Sequence, residues 1–331
     1  MQQHRRRLLQ QLASGASAGL LGSLGAATAW AQAAFPSRPV RVVVPFPAGG
    51  SADVIARGVS ERLAKAWGQP VVVDNRPGAA GMIGADAVAK APADGHTLLM
   101  TTTTLMQAPS LYGKAPYDPI RDLTAISELA TTHLVLAAGP ELPIQHVKDL
   151  PAHVARLGKA LPYGTFGQGS SGHVQMEIFA RAAKVPLVHV AYKGENPLVT
   201  DLLGGHVPLG TISAGSVLQH SRTGKVRPLA VAGASRSPLL PNVPTFEEAG
   251  FAGLERHGWL GLFAPAGSPA PLLERISADV NRALADPAVR EHMIALGIAL
   301  KGSTPLAFAE VVKADQAYWA KAIRDTGIKL D

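Results

Sequence analysis

The chain has 331 residues, 47% of them apolar and 17% charged, with a formal net charge of +7. That composition can bury a real core, which excludes wholesale disorder, and the length suits two domains of ordinary size. Aromatics at 5% argue against a nucleic-acid platform of stacked rings, and the lack of cysteine excludes disulfides, thiolate metal sites and thiol nucleophiles.

Much of the charge belongs to the first residues. Arg5, Arg6 and Arg7 form a positive cluster, and no charged residue follows from Leu8 to Ala33. Ala29-Trp30-Ala31 and Ala31-Gln32-Ala33 both place small residues where a signal peptidase reads. Residues 1–33 therefore read as a secretory signal peptide cleaved after Ala31 or Ala33. Their middle, rich in Gly, Ser and Ala, is too weakly apolar for a membrane span. Arg6-Arg7 ahead of Leu8-Leu9 leaves the twin-arginine export route open beside the Sec route. Removing the leader takes away three Arg and no acid, which leaves 28 basic and 24 acidic residues, or +4. So small a surplus does not point to nucleic acid and mildly favours anionic ligands. No other apolar stretch is long enough to cross a bilayer, so a soluble, monomeric, periplasmic protein is expected.

The mature chain opens on Val40 to Phe46, a β-branched run that predicts a buried strand. Ser51 to Trp67 reads as a helix, with Val54, Ile55, Val59 and Leu63 on one face, Asp53 in the first turn and Gly68 as its stop. A strand at Val71 to Val73, a small-residue helix at Gly81 to Lys90 and a strand at Thr97 to Met100 complete β-α-β-α-β, the order of a parallel α/β sheet. Gln107 to Asp122, with three prolines, reads as a looser stretch. The alternation then restarts, with strands at Leu134 to Ala137, Leu161 to Thr165 and Leu187 to Tyr192, and helices at Val147 to Leu157, Gly172 to Ala183 and Pro197 to Leu203. Val207 to Ile212, Ala214 to His220 and Val226 to Val231 continue it, and Thr245 to Glu248 reads as a capping box opening a short helix. A strand at Trp259 to Phe263 precedes a mostly helical tail, in which Phe308, Val311, Val312, Tyr318 and Ile323 share one side. Two α/β halves of this kind enclose a cleft at the carboxyl ends of their strands, where ligands bind.

Two strand-to-helix loops are candidate sites. In the first, Pro45 to Asp53, Gly49 and Gly50 let the backbone approach a ligand and the free amides of the helix start attract an anion. Asp53 argues against a highly charged phosphate guest; it either receives a ligand amine or caps the helix dipole, and the loop is equally readable as a plain tight turn. The second, Tyr163 to His173, carries Gly167, Gly169 and Gly172 in G-x-G-x-x-G spacing with Glu195 after the next strand. Export away from nucleotide pools weighs against a dinucleotide site, and a second amide-rich helix start with the Ser170 and Ser171 hydroxyls fits better. If both loops face the cleft, a small organic carboxylate is the natural guest. Thr101 to Thr104 and the strand-end pair Tyr192-Lys193 are either ligand donors or ordinary turn groups.

No catalytic or metal constellation is visible, and no cofactor is expected. His173 stands where G-x-S-x-G needs glycine after Ser171, and the eleven histidines show neither H-x-x-x-H nor H-E-x-x-H spacing.

Pro39 to Leu99 (PVRVVVPFPAGGSADVIARG…DGHTLL), YGTFGQGSSGH, HVAYKGENPLVTDLLGGHV (His189 to Val207) and RSPLLPNVPTFEEAGF (Arg236 to Phe251) together resemble the substrate-binding receptors of tripartite tricarboxylate transporters, the Bug receptors. The resemblance runs from about Phe35 to the C-terminus. It implies a two-lobed periplasmic binding protein of type II, the Venus-flytrap kind, in which each lobe is a mainly parallel sheet flanked by helices. Residues 34–128 with 259–331 would form lobe 1 and residues 129–258 lobe 2, with chain crossings near Ser127 to His133 and Glu255 to Leu260. It implies no catalysis, a small carboxylate ligand, and a membrane permease as partner. The same closed form would equally serve a sensor of a two-component system, and an exported hydrolase is the remoter alternative. By position, the ligand-binding residues would be Phe46, Ala48, Gly49, Gly50, Asp53, Thr102, Thr103, Gly167, Gly169, Ser170, Ser171, His173, Tyr192 and Lys193. The chain departs from the family in having Pro208 where members commonly carry Asp. It also reads Gln107-Ala108-Pro109 where they often show Asn-Pro. If a ligand amine needs an acid near Pro208, its loss argues against amino acids.

Overall fold

The structure, a computed structural model, describes residues 35–330 apart from 222 and 223. The expected signal peptide lies outside the described residues. The chain divides into two compact units, Met1–Arg38 and Pro39–Asp331, and every described strand and helix belongs to the second.

The first lobe opens in β-α-β-α-β order: β1 (Val40–Val44), α1 (Ser51–Trp67), β2 (Val71–Asn75), α2 (Met82–Ala89) and β3 (Thr97–Thr102). β1 pairs in parallel with β2 at one edge and β3 at the other, and Val40, Val42, Val43 and Val44, which point to both faces, are all buried, a setting that suits β-branched side chains. α1 buries Ala52, Ile55, Ala56, Val59 and Leu63 along one stripe. It ends at Gly68, whose φ of 64° and bond from its N–H to the Ala64 carbonyl at 3.0 Å close the last turn.

The stretch expected to be loose begins instead as a helix, α3 (Thr104–Leu111), with Pro109 inside it. Burial of Leu105, Met106, Ala108 and Leu111 in the lobe core outweighs the proline's missing N–H. β4 (Leu123–Thr132) was not evident in the sequence because its interior holds Ser127 and Glu128, residues that do not mark a central strand. Both find partners far along the chain. Lys301 Nζ donates to Glu128 Oε2 at 2.8 Å, and the Ser303 N–H donates to Ser127 Oγ at 3.1 Å.

β10 (Gly258–Pro265) and the short β11 (Ala299–Leu300) complete this sheet, in the order β11-β4-β10-β3-β1-β2. β1 to β4 run one way, and β10 and β11 run against them. Helices α8 (Ala270–Ala285), α9 (Pro287–Ala295) and α10 (Pro305–Thr326) follow β10. α10 buries Phe308, Val312, Trp319 and Ile323; Val311 and Tyr318 pack at the edge of the same core.

The second sheet holds β5 (Leu134–Ala138), β6 (Leu161–Thr165), β7 (Leu187–Ala191), β8 (Leu209–Ser213) and β9 (Arg227–Val231), in the order β7-β6-β8-β5-β9. β6 is parallel to β7 and β8, and β5 runs against β8 and β9. Its helices are α4 (Leu150–Leu157), α5 (Ser171–Ala183), α6 (Glu195–Leu203) and α7 (Ala214–Ser221). The fold is therefore α/β, two sheets each flanked by helices. At Thr245 both capping-box bonds form: its N–H donates to Glu248 Oε2 at 2.8 Å and its Oγ1 accepts from the Glu248 N–H at 3.1 Å. The segment nevertheless stops at a single turn: the Ala249 N–H bonds to the Thr245 carbonyl at 3.1 Å, and Gly250, at a φ of +88°, then turns the chain out of a helical path.

Two passages of chain join the sheets. β4 ends at Thr132 and β5 begins at Leu134, so His133 alone separates them. The return runs between Val231 and Gly258.

Candidate functional site

Between the lobes lies a cavity of about 350 Å³. Lobe 1 contributes Gly49, Gly50 and Ser51 at the start of α1, with Leu260 and the Leu296–Ala299 turn. Lobe 2 contributes Glu195 and Asn196 at the start of α6 and Ser213, Ala214 and Gly215 at the start of α7. His133 lines the cavity from the passage between the sheets. Three helix starts thus face one space, and the first amides of a helix have no partner within it. Neither Lys nor Arg is among the lining residues.

The first loop is held in shape by Asp53. This carboxylate is 3% exposed and accepts from the Gly49 N–H at 2.9 Å, from Arg57 Nε at 3.0 Å and from Asn75 Nδ2 at 3.0 Å. The Arg57 hydrogen bond, with those from Gly49 and Asn75, outweighs burial and holds its pKa down to about 2. Asn75 Nδ2 also donates to the Phe46 carbonyl at 3.2 Å. Gly49 turns the chain at a φ of +88°, which favours glycine. Ala48, Gly49 and Gly50 are exposed, Phe46 is half-buried, and the Asp53 carboxylate faces its own loop rather than the cavity lining.

The second loop sits elsewhere. Gly167, Gly169, Ser170, Ser171 and His173 are not among the residues lining this cavity. Ser170 Oγ caps α5, accepting from the His173 N–H at 3.3 Å, and His173 Nδ1 accepts from the Gly169 N–H at 3.1 Å. Ser171 Oγ meets Gln107 Nε2 of α3 at 2.8 Å, and Gly169 lies against Leu111 and Leu330. The loop thereby docks lobe 2 onto α3 and the C-terminal residues of lobe 1.

The remaining candidates have local roles. Thr102 and Thr104 share a hydrogen bond at 2.8 Å, and Thr103 Oγ1 accepts from the Trp259 N–H at 3.0 Å, tying β3 to β10. The Tyr192 hydroxyl donates to Asp201 Oδ2 at 2.8 Å, and Lys193 is exposed. Pro208 stands at the opposite end of β8 from Ser213, roughly 17 Å away at about 3.3 Å per residue. An acid missing there therefore carries no argument about a ligand amine in this cavity. Glu195, Ser213 to Gly215, Thr131 to His133 and Gly297 were not singled out as cavity residues by the sequence. The strand-to-helix positions of Glu195 and Ala214 were the signal that could have found two of these groups.

Among the described residues no group of three or more His, Cys, Asp and Glu is placed to hold a metal ion, and no helix is long and apolar enough to cross a membrane.

Three histidines tie the site's surroundings to pH. Burial holds His133, His173 and His189 down at about 4, and His173 pushes the adjacent His189 the same way. The His173 and His189 rings stack with centroids 3.7 Å apart, and His173 uses Nδ1 as an acceptor, which protonation would remove. Between about 4 and the ordinary value of about 6.5 the unfolded chain takes up protons that the folded chain refuses. The melting temperature is therefore expected to fall as pH drops from about 6.5 towards 4, with His173→Asn making the profile shallower. Melting scans across that window check it; a flat wild-type profile would refute the burial account.

A model of the tripartite tricarboxylate transporter family receptors matches residues 55–328. The chain belongs to that family. It is 40% identical over 291 residues to a protein from the tcbD-tcbE intergenic region of Pseudomonas sp. (strain P51), covering 88% of this chain and 87% of that one. Identity to BugT of Bordetella pertussis is 35% over 317 residues, covering 95% of each. Among solved structures, the periplasmic binding protein BugD superposes with a TM-score of 0.73 at 33% identity, covering 89% of this chain and 99% of that one. Rpa4515 of R. palustris with adipate gives 0.76 at 34% identity, covering 89% and 99%. MatC from Rhodopseudomonas palustris with bound malate gives 0.73 at 32%, covering 87% and 100%. These are solute-binding receptors rather than enzymes, and the family and two-lobed fold expected from the sequence motifs are borne out.

Proposed function

We propose that this receptor works in the periplasm, binds a small organic carboxylate between its lobes, and presents it to a membrane permease of the tripartite tricarboxylate type. The observation that carries the reading is the cavity itself: of the three helix starts that meet there, that of α1 brings its first amides to a space lined, among the described residues, by neither Lys nor Arg. Such a wall suits a compact anion better than a sugar or a nucleotide. Relatives solved with adipate and with malate support the ligand class, and BugD supports the compartment. In this reading residues 39–132 with 258–330 form one lobe and residues 134–257 the other. Phe46, Ala48, Gly49 and Gly50 shape the carboxylate seat, and the Gly167 to His173 loop sets how the lobes dock. Export by residues 1–33 and delivery to the permease rest on the leader's pattern and on the family.

A carboxylate that binds only the folded protein must raise its melting temperature, by about 2.7 kcal/mol of stabilisation at a hundredfold excess over Kd. The chain from Gln32 onward, refolded to strip any carried ligand, is expected to show a rise of several degrees with at least one mono- or dicarboxylate. If nucleotides or sugars shift it and no carboxylate does, the proposal is wrong.

A further inference from the structure

Glu195 brings a carboxylate of the protein's own into the cavity. It is the first residue of α6 and lines the cavity, and its Oε1 accepts from the Ser213 N–H, immediately ahead of α7, at 2.7 Å. The Ala214 N–H bonds to the His133 carbonyl at 2.9 Å, so the two amides at the mouth of α7 are both occupied. Among the described residues no Lys, Arg or His forms an ion pair with Glu195, although those with partners elsewhere are numerous. His133 does not offset its charge, since burial keeps that imidazole neutral near pH 7. Asn196 offers a donor and an acceptor alike and does not offset it either.

Across the cavity the situation is the reverse. Gly50 and Ser51 face the space with helix-start amides, and the neighbouring acid, Asp53, is committed to Gly49, Arg57 and Asn75. One wall therefore offers donors to an anion, and the other offers an anion to a donor.

We propose that Glu195 makes this receptor selective for a carboxylate whose far end carries a hydrogen-bond donor, a hydroxy- or amino-carboxylate, over a plain dicarboxylate. The inference rests on the carboxylate reading above. The ligand's carboxylate sits at the start of α1 and its hydroxyl or ammonium group points to Glu195. A plain dicarboxylate would bring its second negative charge to the wall where Glu195 already occupies the α7 amide.

Calorimetric titration with two length-matched sets tests this: 4-hydroxybutyrate, 4-aminobutyrate and succinate, and 6-hydroxyhexanoate, 6-aminohexanoate and adipate. In the set that fits the cavity, the wild type is expected to bind at least one donor-tipped acid about tenfold or more tightly than the diacid. Glu195→Gln keeps an acceptor for the Ser213 N–H and removes the charge, so it should narrow that preference at least fivefold, chiefly by improving diacid binding. The hydroxy and amino members separate a neutral donor from a cationic one. Wild-type preference for the diacid in both sets, or a preference that Glu195→Gln leaves unchanged, overturns the inference and leaves the receptor reading intact. Failure of all six acids with both proteins, when each melts cooperatively, counts against the inference; failure of every carboxylate screened removes the reading beneath it as well.

Discussion

Gly50→Val is expected to abolish carboxylate binding while leaving the fold in place. Gly50 has φ −77° and ψ 168°, an extended conformation open to any residue, and a Cβ added there meets nothing nearer than the Pro47 carbonyl oxygen at 3.9 Å. Gly50 is the N-cap of α1 but has no capping side chain to lose, so the substitution costs about 1 kcal/mol, too little to unfold the chain. Yet the introduced side chain stands on the cavity wall beside the first amides of α1, and a branched side chain fills the volume a carboxylate needs. A hundredfold loss of affinity or more, about 2.7 kcal/mol, is the expected result. Titration of both proteins with a carboxylate that stabilises the wild type measures it. Equal affinity in a normally folded variant would remove this loop from the site.

Gly215→Val is expected to weaken binding by another route, by keeping the lobes apart. Gly215 lies in the first turn of α7, on lobe 2, and Gly297 follows α9, on lobe 1. A Cβ on Gly215 would stand 3.0 Å from the Gly297 carbonyl oxygen and 3.1 Å from its Cα, so backbone meets backbone across the cavity rim. Side chains can rotate away from an intruding methyl group, whereas backbone cannot, and the strain falls on the contact between lobes. Apparent affinity falls in proportion to the closed fraction, so tenfold to a hundredfold is the expected range, on the order of 1.4–2.7 kcal/mol. Solution scattering supplies the second readout: added ligand should contract the wild type but not the variant. Contraction equal to that of the wild type would show that this rim is not the contact that limits closure. Gly297 is a poorer place for the experiment, because its φ of +71° would add local strain to any substitution.

The parts of the fold legible in the sequence are those whose signal is local. Val40 to Val44 carries its own β-branched run, α1 its own apolar stripe and glycine stop, and the Gly49-Gly50 turn its own backbone freedom. β4 was hidden because Glu128 and Ser127 become acceptable in a central strand only when Lys301 and Ser303 arrive from about 175 residues away. The cavity was half legible for the same reason. Gly49 and Gly50 announce a helix start wherever they occur. Glu195, Ser213 and Gly297 acquire a role only when three distant segments meet. The glycine-rich second loop shows the converse: its local pattern describes a helix start correctly, and tertiary packing then sets it against Gln107 and Leu330. Thr245 and Glu248 make the same point at smaller scale, since their paired hydrogen bonds form without a helix behind them.

The amide-lined wall bears on how such a receptor can change its diet over time. In the proposed reading the anion seat at the start of α1 is made of backbone N–H groups, which a substitution cannot delete and can only block by filling the space, as at Gly50. New preferences can then accumulate at the few side chains on the opposite wall, one substitution at a time, without the protein first losing its hold on carboxylates. If the proposed seat holds, a scaffold of this kind lends itself to duplication: a second gene copy would start life already able to bind an acid, and only the far end of the ligand would remain to be chosen.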